Sequence, residues 1–204
     1  MKNPFPILSC LLAGALPALA QPASKGGSGL AAKPDGPPSY KQESPLPRGW
    51  PEPGPFNQVV RKKYPACRAA FAKNDSRNGA FMTLFKHIKK HDIPMSAPVE
   101  MKLDDSASDG MPMEEMAFLY QSRDIGKTGP DGDKVVVRDI PAQEVLSYAW
   151  QGGRDKRSIA KARKALDAAL ARQHLKVTGY RLLGYNSPFV PPSEQTQELQ
   201  AILK

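Results

Sequence analysis

Adding 76 to Val59, Val60, Lys62, Pro65 and Ala66 gives Val135, Val136, Arg138, Pro141 and Ala142: four identities and one conservative change in eight positions. Such a repeat restricts the fold strongly, because each copy must be one supersecondary unit completed by the other. The order of elements repeats as well. Around Pro65, the Val59-Val60 and Tyr64 to Phe71 stretches read as two short strands separated by a bend, since proline cannot serve in a central ladder. Residues 79–91 read as a helix, with Phe81, Leu84, Phe85 and Ile88 recurring at spacings of three and four and Pro94 as the stop. Residues 95–101 and 116–120 read as strands around an acidic loop over 104–110, and 126–132 reads as a turn region rich in Gly, Pro and Asp.

The second copy runs in the same order. Ile159, Ala162, Leu166, Ala169 and Leu170 share one helix face between an Asp155 cap and Gly179, and residues 180–185 and 198–203 read as closing strands. Two strand-helix-strand-strand units pair most simply into an antiparallel sheet or distorted β-barrel with two packed helices, an α+β class domain. Residues 56–204 are long enough for one such core.

The chain ahead of this domain has a different texture. Residues 21–55 carry nine Pro and six Gly, with Leu30, Tyr40, Leu46 and Trp50 as the large apolar side chains, a disordered-linker composition. Residues 51–56 and Trp50 are the part best suited to pack on the domain. Before them, Lys2, an apolar run from Phe5 to Leu19, and Ala18-Leu19-Ala20 have the three regions of a secretory signal peptide over 1–20. That run is shorter than the roughly 20 residues of a membrane span. The expectation is a periplasmic or secreted chain with no transmembrane segment after cleavage.

Cleavage would remove Cys10 and Lys2. Cys67 would then have no intramolecular disulfide partner, and it reads as a small buried hydrophobe, a free thiol or a soft ligand. The full chain carries 29 Lys+Arg against 20 Asp+Glu; without Lys2 the net charge is about +8, which favours anionic partners such as carboxylated ligands or an anionic envelope surface. Arg154, Lys156, Arg157, Lys161, Arg163 and Lys164 concentrate this charge around the second helix. No interleaved aromatics accompany them, so no specific nucleic-acid partner is expected.

Catalytic signatures are missing: there is no Gly-rich phosphate loop, no His-Glu-x-x-His and no Cys-x-x-Cys. Asp104-Asp105, Glu114-Glu115 and Asp131/Asp133 read as solvated charge, and Ser96 has no base beside it in sequence. The chain is not expected to be an enzyme.

Several fragments, in order, resemble the SOUL haem-binding family. They are Val59 through Pro65, Ala80 through Ile88, Met95-Ser96-Ala97-Pro98-Val99 (close to the family's Met-Thr-Ala-Pro-Val), Met116-Ala117-Phe118, Val137 through Pro141, and Tyr185-Asn186-Ser187-Pro188-Phe189-Val190-Pro191-Pro192. Two departures stand out. Gln197-Glu198-Leu199 replaces an Asn-Glu-Val, and Lys89-Lys90-His91-Asp92 replaces a glycine-containing turn. The resemblance implies a duplicated antiparallel sheet with two helices that holds haem, or an iron-free porphyrin, in an apolar groove without transforming it. It implies a site formed by Met82, Phe85, Lys86 and Lys89 on the first helix, opposed by the loop Ser187, Pro188, Phe189 and Val190.

A porphyrin is a flat apolar ring with two carboxylates, so it needs an apolar slot, cations at the mouth and, for iron, an axial donor. His87 and His91 lie four residues apart on one side of the helix and are the candidate iron ligands; each also reads as a solvated helix-end histidine. No iron-ligating histidine transfers from the resemblance. Phe81, Leu84, Phe85 and Ile88 read equally as the packing stripe, and Lys86, Lys89 and Lys90 as a solvated face. Three other readings stay open. One is an envelope binding or structural module for another amphipathic ligand or a protein. The others are a thioether copper site at Met111, Met113 and Met116, and a small-molecule enzyme.

Overall fold

The computed structural model describes residues 37–73, 77–104 and 112–204. In chain order the elements are β1 (Val59–Tyr64), β2 (Cys67–Lys73), α1 (Arg77–Lys90), β3 (Val99–Leu103), β4 (Met113–Leu119), β5 (Gly129–Asp131), β6 (Val135–Ile140), β7 (Gln143–Gln151), α2 (Lys156–Gln173), β8 (Val177–Gly184) and β9 (Thr196–Leu203). All strands join one sheet in the order β1-β7-β9-β8-β3-β4-β2-β6-β5, with antiparallel neighbours throughout. The sheet is open, with β1 and β5 at its edges, so of the two expected forms the protein takes the sheet.

The duplication is visible in this order. Read outward from the β8/β3 pair, β9, β7 and β1 on one side mirror β4, β2 and β6 on the other, and β5 is an addition. The registers agree too: Val59 pairs with Tyr148, and their counterparts at the 76-residue offset, Val135 and Ala72, pair with each other. At the centre, β3 meets β8 about the Met101↔Leu182 pair.

Both helices pack on one face of the sheet. Ala80, Leu84 and Ile88 of α1 and Ala162, Leu166 and Ala169 of α2 are buried there with Met101, Phe118, Leu146, Leu182 and Leu199. Each fully buried Leu or Ile contributes about 1.5–3 kcal/mol, so this face supplies most of the apolar drive. Met101 and Met116 are buried in it, and Met95 and Met113 pack partly buried against it, which accounts for four methionines as core; Met111 lies outside the described residues.

The opposite face is also covered. Trp50, Tyr64, Cys67, Ala69, Phe71, Leu119, Val145, Leu183 and Tyr185 form a second cluster, against which Tyr40 and Leu46 pack. Residues 37–55, the described end of the Pro/Gly-rich stretch, thus supply core side chains, and the packed unit begins ahead of residue 56. The signal-like residues 1–20 lie outside the described residues.

Helix α1 ends at Lys90, within one residue of the expected end, and what stops it is not Pro94: Asp92 adopts the left-handed conformation (φ 52°) and Ile93 N–H bonds Ile88 C=O at 2.9 Å. Three local boundaries differ from the sequence reading. Helix α2 starts at the expected Asp155 cap, whose carboxylate accepts from Ser158 N–H at 2.9 Å, but ends at Gln173 with His174 left-handed, well before Gly179. The strand expected over 95–101 begins only at Val99, after a cis Ala97-Pro98 bond. The expected turn over 126–132 contains the short strand β5, paired with β6.

Candidate functional site

Helix α1 turns three of its flanks to different surroundings. Ala80, Leu84 and Ile88 face the sheet; Phe81 packs edge-on against Phe118, with centroids 5.0 Å apart, and stacks with Phe85 at 6.3 Å. Met82, Lys86 and Lys89 are exposed, Met82 by 48%, and Lys89 Nζ lies 5.7 Å over the ring of the half-buried Phe85. An apolar ring edge beside three basic or thioether side chains is what remains accessible on this helix.

The third flank holds the histidines. His87 is only 5% exposed, and both of its ring nitrogens are engaged: Nδ1 with Asp131 Oδ2 at 2.6 Å and Nε2 with Tyr120 Oη at 2.8 Å. His91, exposed one turn later, brings Nε2 to 3.0 Å from the same Asp131 oxygen, and Lys90 Nζ takes Oδ1 at 2.6 Å. The Lys90 ammonium, followed by the two imidazoles, holds the Asp131 carboxyl well below the usual carboxylate range. Burial pushes the Tyr120 phenol up to about 12, so it stays protonated. Asp131 is therefore not the free solvated charge that its loop-like sequence suggests. Lys90 is a partner of Asp131, unlike Lys86 and Lys89.

The loop expected to oppose α1 is built differently at each residue. Ser187 donates from its backbone N–H and from Oγ to Glu43, at 2.8 and 3.1 Å, and so is tied to the N-terminal segment. Pro188 is exposed, Val190 is buried, and Phe189 is 95% exposed, the most open large apolar side chain described. Helix α1 itself packs on β2, β4 and β6.

A cleft of about 350 Å³ opens between the middle of α1, at Thr83, and strands β2, β4 and β6, lined by Phe71, Lys73, Thr83, Glu115, Val136 and Arg138 among others. Its apolar floor is Phe71, across whose ring Arg138 lies at 3.8 Å, and the exposed Val136. Lys73 and Arg138 put cations at its edge, the latter paired with Glu115 at 2.6 Å.

Sequence reasoning missed a further polar centre on the sheet face away from the helices. The Glu198 carboxylate, wholly buried, accepts from Tyr64 Oη (2.9 Å), Ser147 Oγ (2.5 Å) and Gln200 Nε2 (2.6 Å) on one oxygen, and from Lys62 Nζ (3.1 Å) and Tyr185 Oη (3.3 Å) on the other. Arg181 extends the network by donating to Gln200 at 2.7 Å and to Glu100 at 3.0 Å. Burial, reinforced by the Glu198 charge, raises both phenols above the ordinary tyrosine range. Trp50 closes over this centre, edge-on to Tyr64 with centroids 4.7 Å apart, and Tyr40 covers Tyr185 at 5.5 Å. The one signal in the sequence was Gln197-Glu198-Leu199, a carboxylate set in an otherwise strand-like segment.

Two other candidates are structural. Ser96 spends its hydroxyl on the Leu119 carbonyl. Cys67 is buried, and its thiol is pushed up to about 12 chiefly by that burial, which makes it a poor nucleophile or ligand. The basic side chains of α2 are mostly exposed, although Arg163 pairs with Asp167 at 2.8 Å and stacks 3.7 Å from the Tyr180 ring. Among the described residues no helix is long and apolar enough to cross a membrane.

A family model described as SOUL heme-binding protein matches residues 59–202. No curated protein matches the sequence. Among solved structures, the EcmrR C-terminal domain is 15% identical with a TM-score of 0.55, over 72% of this chain and 97% of that one. EcmrR bound to DNA in a transcription complex is 14% identical with a TM-score of 0.56, and there the match spans 57% of the longer chain. A protein of Listeria innocua termed a hydrolase is 13% identical with a TM-score of 0.54, over 74% of this chain and 94% of that one. Identities this low speak for a shared fold alone.

Proposed function

The chain belongs to the SOUL heme-binding protein family, and from that premise we propose that it binds haem or a related tetrapyrrole reversibly, without transforming it. The observation that carries the reading is the joining of the family match with an accessible apolar and cationic surface on α1. Met82 and the edge of Phe85 would meet the ring, and Lys86 and Lys89 would pair with its carboxylates. Phe189 in the 187–190 loop is the other exposed large apolar side chain that the family resemblance assigns to the site.

The residues fit the ring and its carboxylates better than they fit the iron. His87 would have to surrender Asp131 or Tyr120 to hold iron, whereas His91 is exposed and engaged through Nε2. Haem, if bound, would supply an iron open to a protein donor; the chain's part would be to bury the ring and hold its carboxylates. His91 is accordingly the better of the two to hold the iron. The proposed setting is outside the cytoplasm, after loss of residues 1–20, and N-terminal sequencing that found Met1 retained on the working protein would overturn that part.

The test is a titration of the protein with haem and, separately, with iron-free protoporphyrin, followed in the Soret region and by tryptophan emission. Saturable one-to-one binding of both is expected, weakened about 10-fold (roughly 1.4 kcal/mol) when Lys86 and Lys89 are both replaced by Glu. Absence of saturable binding at micromolar protein would overturn the reading. Binding unaffected by the paired lysine change would move the site elsewhere, first to the cleft at Phe71 and Arg138.

A further inference from the structure

The flank of α1 that holds His87 and His91 carries more than its packing needs. Asp131 Oδ2 lies 2.6 Å from His87 Nδ1 and 3.0 Å from His91 Nε2, and the three ligand atoms are all within 4.8 Å of one another. Two imidazoles four residues apart, His87 on α1 and His91 in the turn that follows it, and one carboxylate from a separate strand form a three-donor set of the kind that binds zinc and similar borderline divalent cations, which take nitrogen and oxygen at about 2.0–2.2 Å. We propose that His87, His91 and Asp131 form a binding site for one divalent transition-metal cation.

Three features of the structure support a built site. The first is the outer partner of His87: its Nε2 faces Tyr120 Oη at 2.8 Å, so a proton on Nε2 leaves Nδ1 directed at the cation, and the buried ring pair is held in place. Metal-bound imidazoles characteristically have such a partner on the second nitrogen. The second is the division of the Asp131 carboxylate, which turns Oδ2 to both imidazoles and leaves Oδ1 to Lys90. The third is asymmetry. The two helices end in the same way, at Asp92 and His174, so the second-copy counterparts of His87 and His91 are Ala169 and Gln173. Strand β5, which brings Asp131, is the strand without a counterpart. The cluster is thus an addition to the duplicated frame and not a product of it.

Lys90 opposes the site through its charge, yet it occupies only Oδ1. A cation on Oδ2 replaces the imidazole N–H groups there and leaves that ion pair in place, while water fills the remaining coordination positions.

The inference does not depend on tetrapyrrole binding and is tested without porphyrin. The untagged chain is titrated with Zn²⁺ by calorimetry and with Co²⁺ by visible absorption. One equivalent should bind saturably, and His91→Ala and Asp131→Asn should each lower affinity about 10-fold or more, while Tyr120→Phe should lower it by about 10-fold through the outer partner. His91 is exposed, so its replacement leaves the core intact. In the unaltered chain, Zn²⁺ should shift the imidazole NMR signals of His87 and His91 and spare those of His174. Lack of saturable binding, affinity unchanged in both ligand variants, or shifts confined to His174 would each overturn the proposal.

Discussion

At the scale of single residues, the side chain with the largest consequence is Glu198. Its carboxylate is wholly buried and accepts from five donors, of which only Lys62 carries charge. Removing it strands four neutral donors and an ammonium in a dry face, and losing one partner of a buried charged pair costs about 3–5 kcal/mol. Glu198→Ala should therefore lower the unfolding free energy read from urea titration by that order, with a lower midpoint, and Glu198→Gln, which keeps an acceptor for Tyr64 and Ser147, by clearly less. Equal midpoints for the two variants would mean that the charge, rather than the acceptor count, holds the network. The sequence placed Glu198 in a strand but gave no hint that it was dry. Alternation along Thr196–Leu203 separates Leu199 and Ala201 from Glu198 and Gln200, yet it tells only that these pairs face opposite ways. Which way is wet depends on Trp50 and Tyr40, some 150 residues earlier, and no local pattern carries that information.

At the scale of elements, helix interiors and the Asp155 start of α2 were legible, and the residues that stop the helices were not. The recurrence of Phe81, Leu84 and Ile88, and of Ala162, Leu166 and Leu170, marks the buried stripes directly. Pro94 and Gly179 are the conventional stop residues, and neither is used. Instead, Asp92 and His174 turn left-handed, Ile93 and Leu175 N–H groups bond back to Ile88 and Leu170 at 2.9 and 3.0 Å, and Ile93 and Leu175 pack on the core. The apolar residue after the turn fixes the stop more firmly than the identity of the turning residue does, which is why a non-glycine is tolerated there. A left-handed conformation costs a residue with a side chain about 1–2 kcal/mol. His174 is exposed and has little packing to lose. His174→Gly should accordingly stabilise the protein by about 1 kcal/mol, offset in part by the greater freedom of glycine in the unfolded chain, and should raise Tm by about 2–4 °C. His174→Val should lower Tm, since a branched side chain resists that conformation most. A Tm unmoved by both changes would mean that this end of α2 frays before the rest unfolds. The site residues follow the same division. Met82, Lys86 and Lys89 are exposed as their helix phase requires, while the clamp on His87 needed β5, a three-residue strand whose Gly-Pro-Asp sequence reads as a turn.

For the whole molecule, duplication explains the sheet but not its closure. A pseudo-two-fold sheet with both helices on one face leaves the other face of all its central strands bare, and that face here carries Tyr64, Tyr185, Glu198 and Arg181. Neither repeat contains an element to cover it. The cover comes from outside the repeats, where Tyr40, Leu46 and Trp50 pack across Tyr185 and Tyr64, Arg48 N–H bonds the Gln121 carbonyl at 2.9 Å, and Glu43 ties the 187–190 loop. A composition of Pro and Gly with few apolar residues is ordinarily read as linker because it cannot form a core of its own; it needs only three well-spaced anchors to complete another. If this is the division of labour, a chain beginning at residue 56 should be less stable than one beginning at residue 37 by at least the about 3–5 kcal/mol typical of losing one buried tryptophan. Trp50→Ala in the longer chain should reproduce most of that difference. Chemical unfolding of the three proteins decides it. A shorter chain that unfolds at the same denaturant concentration would show that the repeats stabilise their second face unaided, and that residues 37–55 are held by the domain without contributing to it.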